Sequence, residues 1–158
     1  MKSKVLSDQF KTVNFIIGRL ATLMMFFPIL IFKDSDTSFN GFEVSFGKEF
    51  ANLGSWVSGQ ITFNPLVLLA LLLPIVAVLI ILSIDKGYMI ASVLFVVAAA
   101  MILMIPQFTV VTVTILDQVN EVDVSWTYGI GLIFAAGLSI LGAGLSFLRV
   151  YQTKKKVN

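Results

Sequence analysis

The sequence contains no cysteine and no histidine, and only 13% of its 158 residues are charged. Without cysteine there are no disulfides, thiolate metal sites or cysteine nucleophiles, and without histidine the usual general base is missing. The remaining reactive groups form neither a phosphate-binding loop nor a dinucleotide fingerprint. We therefore expect a protein that is not an enzyme, with no catalytic residues, cofactor or metal.

Polar surface is also scarce, because 58% of the residues are hydrophobic and the mean hydropathy is +0.96. Soluble globular domains carry about 25% charged residues. A soluble chain of this composition could not cover its own apolar core. Residues 1–158 are therefore predicted to form a single integral membrane domain. The lack of cysteine in a chain with external loops favours a bacterial plasma membrane.

The uncharged run at 65–84 is the clearest single feature, with Ser83 as its one hydroxyl. About twenty helical residues span roughly 30 Å, the hydrocarbon thickness of a bilayer. Three further apolar runs, at 13–32, 88–105 and 127–148, are predicted as additional spans. The expected fold is all-α: a four-helix transmembrane bundle.

The two longer connecting segments, 33–64 and 107–126, are predicted to lie outside the membrane. Residues 42–46 alternate apolar and polar, which predicts a strand, and 48–57 are predicted as a short interfacial helix. Residues 107–126 alternate between apolar and polar on both sides of turn residues 117–120, which predicts a β-hairpin. Together these pieces are expected to build a small extracytoplasmic β-sheet from both loops.

Charge predicts the orientation of these spans. Nine of the eleven Lys and Arg residues, including those of the basic tail 149–158, fall on one side of the predicted membrane. Seven of the nine acidic residues fall on the other side. The positive-inside rule then places both termini in the cytoplasm.

Several residues are candidates for contact with a protein partner or with lipid. Arg19 lies within the first predicted span, where it either makes such a contact or extends its long side chain to the headgroups. The others are apolar residues of the external segments. The full set is Arg19, Trp56, Val111, Val113, Val124 and Trp126.

A second set concerns the helices themselves. Small residues at four-residue spacing in the last span predict a helix-packing face, either within the chain or between two copies: Gly131, Ala135, Ser139 and Ala143. Pro74 falls in the middle of the second span, where it is either a hinge or an architectural kink.

These features favour a non-enzymatic accessory, scaffold or interaction subunit that acts through its external sheet and bundle surface. The alternative is a subunit of a small oligomeric transporter or channel. Either function predicts contact with membrane lipid and with a protein partner or further copies of the chain. Neither predicts a nucleic acid, because the basic tail is explained by topology and anionic lipid.

Overall fold

The computed structural model describes residues 2–33, 37–52, 57–84, 87–116 and 118–155. Within these ranges the chain forms six helices and seven strands. The helices are α1 Lys2–Met24, α2 Gly41–Phe46, α3 Pro65–Ser83, α4 Tyr88–Leu103, α5 Ile105–Phe108 and α6 Ile130–Lys155. The strands are β1 Pro28–Phe32, β2 Ser38–Asn40, β3 Lys48–Asn52, β4 Val57–Ile61, β5 Val111–Ile115, β6 Gln118–Val122 and β7 Trp126–Tyr128.

The four long helices, α1, α3, α4 and α6, pack together as a helical layer. The Thr22 hydroxyl of α1 donates to the Leu71 carbonyl of α3 (3.3 Å), and the Ser92 hydroxyl of α4 donates to the Ala143 carbonyl of α6 (3.0 Å). Neighbouring helices run antiparallel. The start of α1, the end of α6 and the α3–α4 connection therefore share one end of the layer, called here the basic end. The strands, α2 and α5 occupy the other end, called the sheet end.

The strands form two antiparallel sheets. One has three strands in the order β2-β1-β7, and the other has four in the order β3-β4-β5-β6. Buried side chains form two clusters. One includes Ile81 and Phe95 between the helices, and the other joins the sheets to the helices through Met25, Ile29 and Phe39.

The prediction of an all-α, four-span bundle is wrong, because the fold mixes helices with two sheets. Among the described residues, two helices are long and apolar enough to cross a membrane, judged by length and composition: α3 and α6. Helix α4 has only 16 residues, which corresponds to about 24 Å. Helix α1 is longer but carries Asp8, Lys11 and Arg19 among its apolar residues.

The predicted first span, 13–32, fails because its second part is a strand. Helix α1 ends at Met24, and Pro28–Phe32 forms β1, the central strand of the three-stranded sheet. Ile29 and Leu30 are fully buried there. A short apolar run is typical of both a buried strand and a buried helix segment, so hydropathy alone does not distinguish the two.

The predicted fourth span, 127–148, is shifted for a related reason. Trp126–Tyr128 forms β7 and pairs with β1, and the Gly129 N–H donates to the Ile29 carbonyl at 2.8 Å. Helix α6 therefore begins at Ile130. It continues to Lys155, well into the predicted tail.

The strand predicted at 42–46 is a helix, α2. The Asn40 side-chain oxygen accepts from the Phe42 and Glu43 N–H groups, both at 3.0 Å. The Glu43 carboxylate in turn accepts from the Asn40 N–H at 2.9 Å. This reciprocal capping box starts a helix. The helix predicted at 48–57 is also wrong, because Lys48–Asn52 forms β3 and Val57 begins β4.

The hairpin within 107–126 is formed by β5 and β6, but its partner is not the segment at 42–46. Strand β5 pairs along its other side with β4, in the register Val57↔Ile115 to Ile61↔Val111. Strand β6 begins at Gln118, inside the predicted turn 117–120. The predicted single three-stranded sheet is therefore replaced by two sheets, one of three strands and one of four.

Candidate interaction surface on the outer strand of the four-stranded sheet

Strand β6 is the outermost strand of the four-stranded sheet, beside β5. All five of its residues, Gln118–Val122, are exposed. Val119 is 66% exposed and Val122 is 43% exposed. An outer strand presents unpaired backbone groups, and these exposed valines add apolar surface to them.

The hydrogen-bond alternation of the sheet shows which groups of β6 point outward. The Thr62 N–H donates to the Val110 carbonyl at 3.2 Å, which fixes 62↔110 as a hydrogen-bonded pair between the two segments that carry β4 and β5. Antiparallel pairs alternate between bonded and non-bonded. Residues 111, 113 and 115 of β5 therefore bond to β6. The backbone groups of Val119 and Glu121 consequently face away from β5.

The tip of this hairpin is apolar and tightly turned. Ile115 pairs with Gln118, which leaves a two-residue loop that begins with Leu116. Leu116 has a φ of +48°, in the left-handed region that two-residue hairpin turns require. A leucine there costs about 1–2 kcal/mol relative to ordinary backbone. The Ile115 and Leu116 side chains are 47% and 63% exposed, so the strained turn holds apolar surface in the open.

The charge around β6 has one sign. Glu121 within the strand and Asp123 just after it are both exposed. The sequence from 107 to 126 contains no Lys or Arg. A strand that pairs with β6 is therefore best matched by apolar and basic side chains.

The opposite outer strand, β3, is less open to pairing. Its register with β4 shifts between Glu49 and Ala51, and its first two residues, Lys48 and Glu49, are charged. Irregular register and charged side chains are common protections of an outer strand. The Lys48 ammonium also forms an ion pair with the Glu43 carboxylate of α2.

That ion pair affects the titration of Glu43. Burial acts to raise the pKa of Glu43, but the hydrogen bond from Lys48 and the Asn40 N–H outweigh it, so the pKa is lowered from 4.5. Because its pKa is lower in the folded protein, ionised Glu43 stabilises the α2 cap at pH values above its ordinary pKa. This stabilisation is lost as the pH falls through the lowered pKa.

The predicted contact residues of the second external segment are not part of this open strand. Val111 is 2% exposed and Val113 is half-buried, and both belong to β5, which is paired on both sides. Val124 packs partly buried against the core. Trp56 lies outside the described residues. Val111 and Val124 therefore pack toward the core.

Trp126 belongs to an aromatic group where the two sheets meet. Its ring makes edge contacts with Phe32 at 5.1 Å and Phe39 at 5.9 Å between centroids. Phe50 of β3 completes the group, 5.9 Å from Phe32 and 5.8 Å from Phe39. Edge contacts between aromatic rings add about 0.5–1.5 kcal/mol beyond burial. Phe50 is thus the ring of this group that connects the two sheets, and Trp126 packs against rings of its own sheet.

Arg19 is exposed on α1, and its guanidinium lies 4.1 Å from the centroid of the Phe15 ring, four residues earlier. A cation over an aromatic face is stabilised by the ring quadrupole. The side chain therefore packs along its own helix and remains on the outer surface of the helical layer.

Pro74 is buried, and α3 continues through it as one helix from Pro65 to Ser83. It packs against α1 at Gly18. A Cβ at Gly18 would lie 3.0 Å from the Pro74 carbonyl and 2.3 Å from a Val78 methyl. The proline is thus fixed in a close contact between α1 and α3.

The four predicted packing residues of α6 are all buried within the chain: Gly131, Ala135, Ser139 and Ala143. Gly131 approaches the end of α1, and Ala143 accepts the hydrogen bond from Ser92 of α4. The Ser139 hydroxyl donates to the Ala135 carbonyl of its own helix at 2.8 Å. This face is occupied by the chain's own helices.

A buried polar pair also lies in the helical layer. The Ser146 hydroxyl donates to the Asn14 side-chain oxygen at 3.0 Å, and the Asn14 amide donates to the Phe10 carbonyl at 2.9 Å. Asn14 and Ser146 are both fully buried. Their mutual hydrogen bond fixes α1 against α6. Among the described residues, no three His, Cys, Asp or Glu side chains are grouped to hold a metal ion.

Sequence reasoning missed Leu116, Val119 and Val122 as surface candidates. The segment 117–120 has turn-forming composition, which places Val119 in the turn. The available signal was the alternation of Val122 and Val124 with Glu121 and Asp123, but Val119 falls on the face of the two acidic residues and breaks that pattern. Comparison of the chain with protein-family models, with curated proteins and with solved structures found no match.

Proposed function

We propose that this protein is a non-enzymatic interaction subunit of a membrane, which binds another polypeptide by adding that polypeptide's strand to β6. One observation carries the proposal: β6 is an outermost strand whose five residues are all exposed. Strand addition uses main-chain hydrogen bonds for affinity and side-chain pockets for specificity. The outward groups of Val119 and Glu121 would supply those hydrogen bonds.

The membrane placement is supported by the outer surfaces of α3 and α6. In the apolar window of each helix only 44% of the residues are buried within the chain, so more than half are partly or fully exposed. Large apolar side chains are about half exposed along α3 and α6, for example Leu79 at 53% and Ile140 at 57%. Hydrocarbon is the solvent that such surfaces match. In our proposal α3 and α6 cross the bilayer.

The positive-inside rule supports placing the basic end in the cytoplasm. Arg149, Lys154 and Lys155 lie in the last turns of α6, at that end. The sheet end carries Glu43, Glu121 and other acidic residues. The surface offered by β6 would then face away from the cytoplasm.

Charge supports a different protein, and not a second copy, as the partner. Antiparallel pairing of two β6 strands around Asn120 would place Val119 opposite Glu121 of the second copy. The two Glu121 side chains would then be diagonal neighbours on one face, where like charges repel. A strand with basic residues would instead neutralise Glu121 and Asp123.

The test is capture of a partner by a tagged chain extracted in mild detergent, comparing the wild type with Val119→Pro. Proline removes the outward N–H of Val119, and its ring blocks an approaching strand. The β5–β6 ladder keeps its own hydrogen bonds. We expect at least a roughly tenfold loss of the captured protein, the factor that corresponds to about 1.4 kcal/mol.

Val119→Thr is the matched control, because it keeps the N–H and the branched β-carbon; capture is expected to persist. Asn120→Pro removes an N–H that faces β5 and should disrupt the hairpin itself. The protease sensitivity of Asn120→Pro therefore shows what a disrupted sheet looks like in the same assay. Undiminished capture by a protease-resistant Val119→Pro chain would refute strand addition at β6.

A further inference from the structure

Four phenylalanine rings form a continuous row on the outside of the molecule, where the helical layer meets the sheet end. Consecutive ring centroids are separated by 4.4 Å between Phe26 and Phe42, 6.3 Å between Phe42 and Phe46, and 6.5 Å between Phe46 and Phe63. Phe26, Phe46 and Phe63 are 56–58% exposed. This phenylalanine row is large apolar surface that the chain leaves uncovered.

The row lies level with two helix ends. Phe26 follows the end of α1 by two residues, and Phe63 precedes the start of α3 by two. The exposed apolar surface then continues down α3 from Phe63 through Leu66 (45% exposed) and Leu69 (47% exposed). The row is therefore continuous with the surface that we place in hydrocarbon.

Polarity changes abruptly on the other side of the row. A cavity of about 320 Å³ opens beside Phe46 and Phe63, and its remaining lining comes from residues 47–49 and 60–62. These include Lys48, Glu49 and Gln60, which are all exposed. Apolar surface lies below the rings, and charged and amide groups lie above them.

We propose that the phenylalanine row lies at the boundary between hydrocarbon and headgroups in one leaflet, with α2 resting on the membrane surface. The occupant of this face is the bilayer itself. A short amphipathic helix with its apolar side in the acyl boundary is a known interfacial arrangement. This inference rests on the proposed placement of α3 in the membrane.

The one-sided change of polarity favours a bilayer over a protein partner. A protein interface has an apolar centre with a polar rim around it. Here the apolar surface continues without a rim down α3, as exposed Leu66, Leu69 and Leu72 indicate. Aromatic side chains are enriched at the edges of the membrane, where one side is apolar and the other is wet.

The absence of cysteine from the chain makes single-cysteine spin labelling a clean test. Labels at Phe46→Cys and Phe63→Cys, in phosphatidylcholine vesicles, are compared for collision with oxygen, which concentrates in hydrocarbon, and with a water-soluble nickel chelate. We expect the oxygen-to-nickel ratio at both positions to exceed the ratio at Gln118→Cys several-fold. Leu72→Cys, in the middle of α3, should give the highest ratio.

The outcomes separate this inference from the proposed function. A high ratio at Leu72→Cys with a nickel-accessible label at Phe46→Cys would overturn the placement of the row and leave α3 in the membrane. A label at Phe46→Cys that neither reagent reaches would also overturn it, since a protein would then cover the row. A nickel-accessible label at Leu72→Cys would overturn both.

Discussion

Replacing Gly131 with alanine is expected to destabilise the protein by about 3 kcal/mol or more. A Cβ at this position would lie 2.4 Å from the Met24 carbonyl oxygen, 2.9 Å from that of Phe27 and 3.0 Å from that of Pro28. All three atoms belong to the backbone, so no side-chain rotation relieves the contact. Helix α6 would have to move away from the end of α1. Circular dichroism during denaturation in detergent measures the loss.

Gly137→Ala is the matched control, because it lies on the same helix and an added Cβ there would meet no atom within 4 Å. Removing a glycine from an open helical position is expected to stabilise the helix by about 0.5–1 kcal/mol. The two alanine substitutions should therefore shift the unfolding midpoint in opposite directions. Equal shifts would contradict the close approach of α6 to α1.

Phe95→Ala is expected to cost about 3–5 kcal/mol of unfolding free energy. Phe95 is fully buried, and its ring fills the space left by glycines on two other helices. The ring lies 3.0 Å from the Cβ position of Gly142 in α6 and 3.6 Å from that of Gly18 in α1. Truncation would leave a cavity where α1, α4 and α6 meet.

Phe147→Ala tests the same deletion on the outer surface of α6, where the ring is 64% exposed. Its ring makes few contacts within the chain, so its loss is expected to cost less than about 1 kcal/mol. The same denaturation experiment in detergent compares the two variants. A loss at Phe147→Ala as large as that at Phe95→Ala would contradict the arrangement of the helical layer.

Some elements of the fold can be predicted from local sequence. Helix α3 begins at Pro65, where the missing N–H costs nothing at the first helical position and the preceding Asn64 side chain accepts from the Leu66 and Val67 N–H groups. The alternation of residues 111–115 marks β5. In both cases the residue pattern and the local backbone chemistry indicate the same element.

Other elements were decided by competition between local signals. Residues 42–46 alternate as a strand does, yet Asn40 and Glu43 have the spacing of a capping box. The capping box prevailed because it satisfies backbone donors at the start of α2. Pro28 is a residue that a helix interior disfavours, but its apolar neighbours conceal the strand that begins with it.

The candidate surface depended on distant pairings. Strand β6 is at the edge of the sheet because β4 pairs with the other side of β5. The paired residues of β4 and β5 lie about fifty positions apart in the sequence. The sequence of β6 alone does not indicate that only one of its two sides pairs with another strand. For the same reason Val111 and Val113 looked like surface residues, although β5 is enclosed on both sides.

Photo-crosslinking at Val119 is the most direct measurement of strand addition to β6. A photoreactive residue at this position, in intact membranes of cells that make the protein, is compared with one at Ile133 of α6. The two side chains are similarly exposed, at 66% and 57%. We predict a discrete protein adduct from position 119 and none from position 133, which should face lipid. No adduct at 119, or the same adduct from both positions, would contradict the proposal.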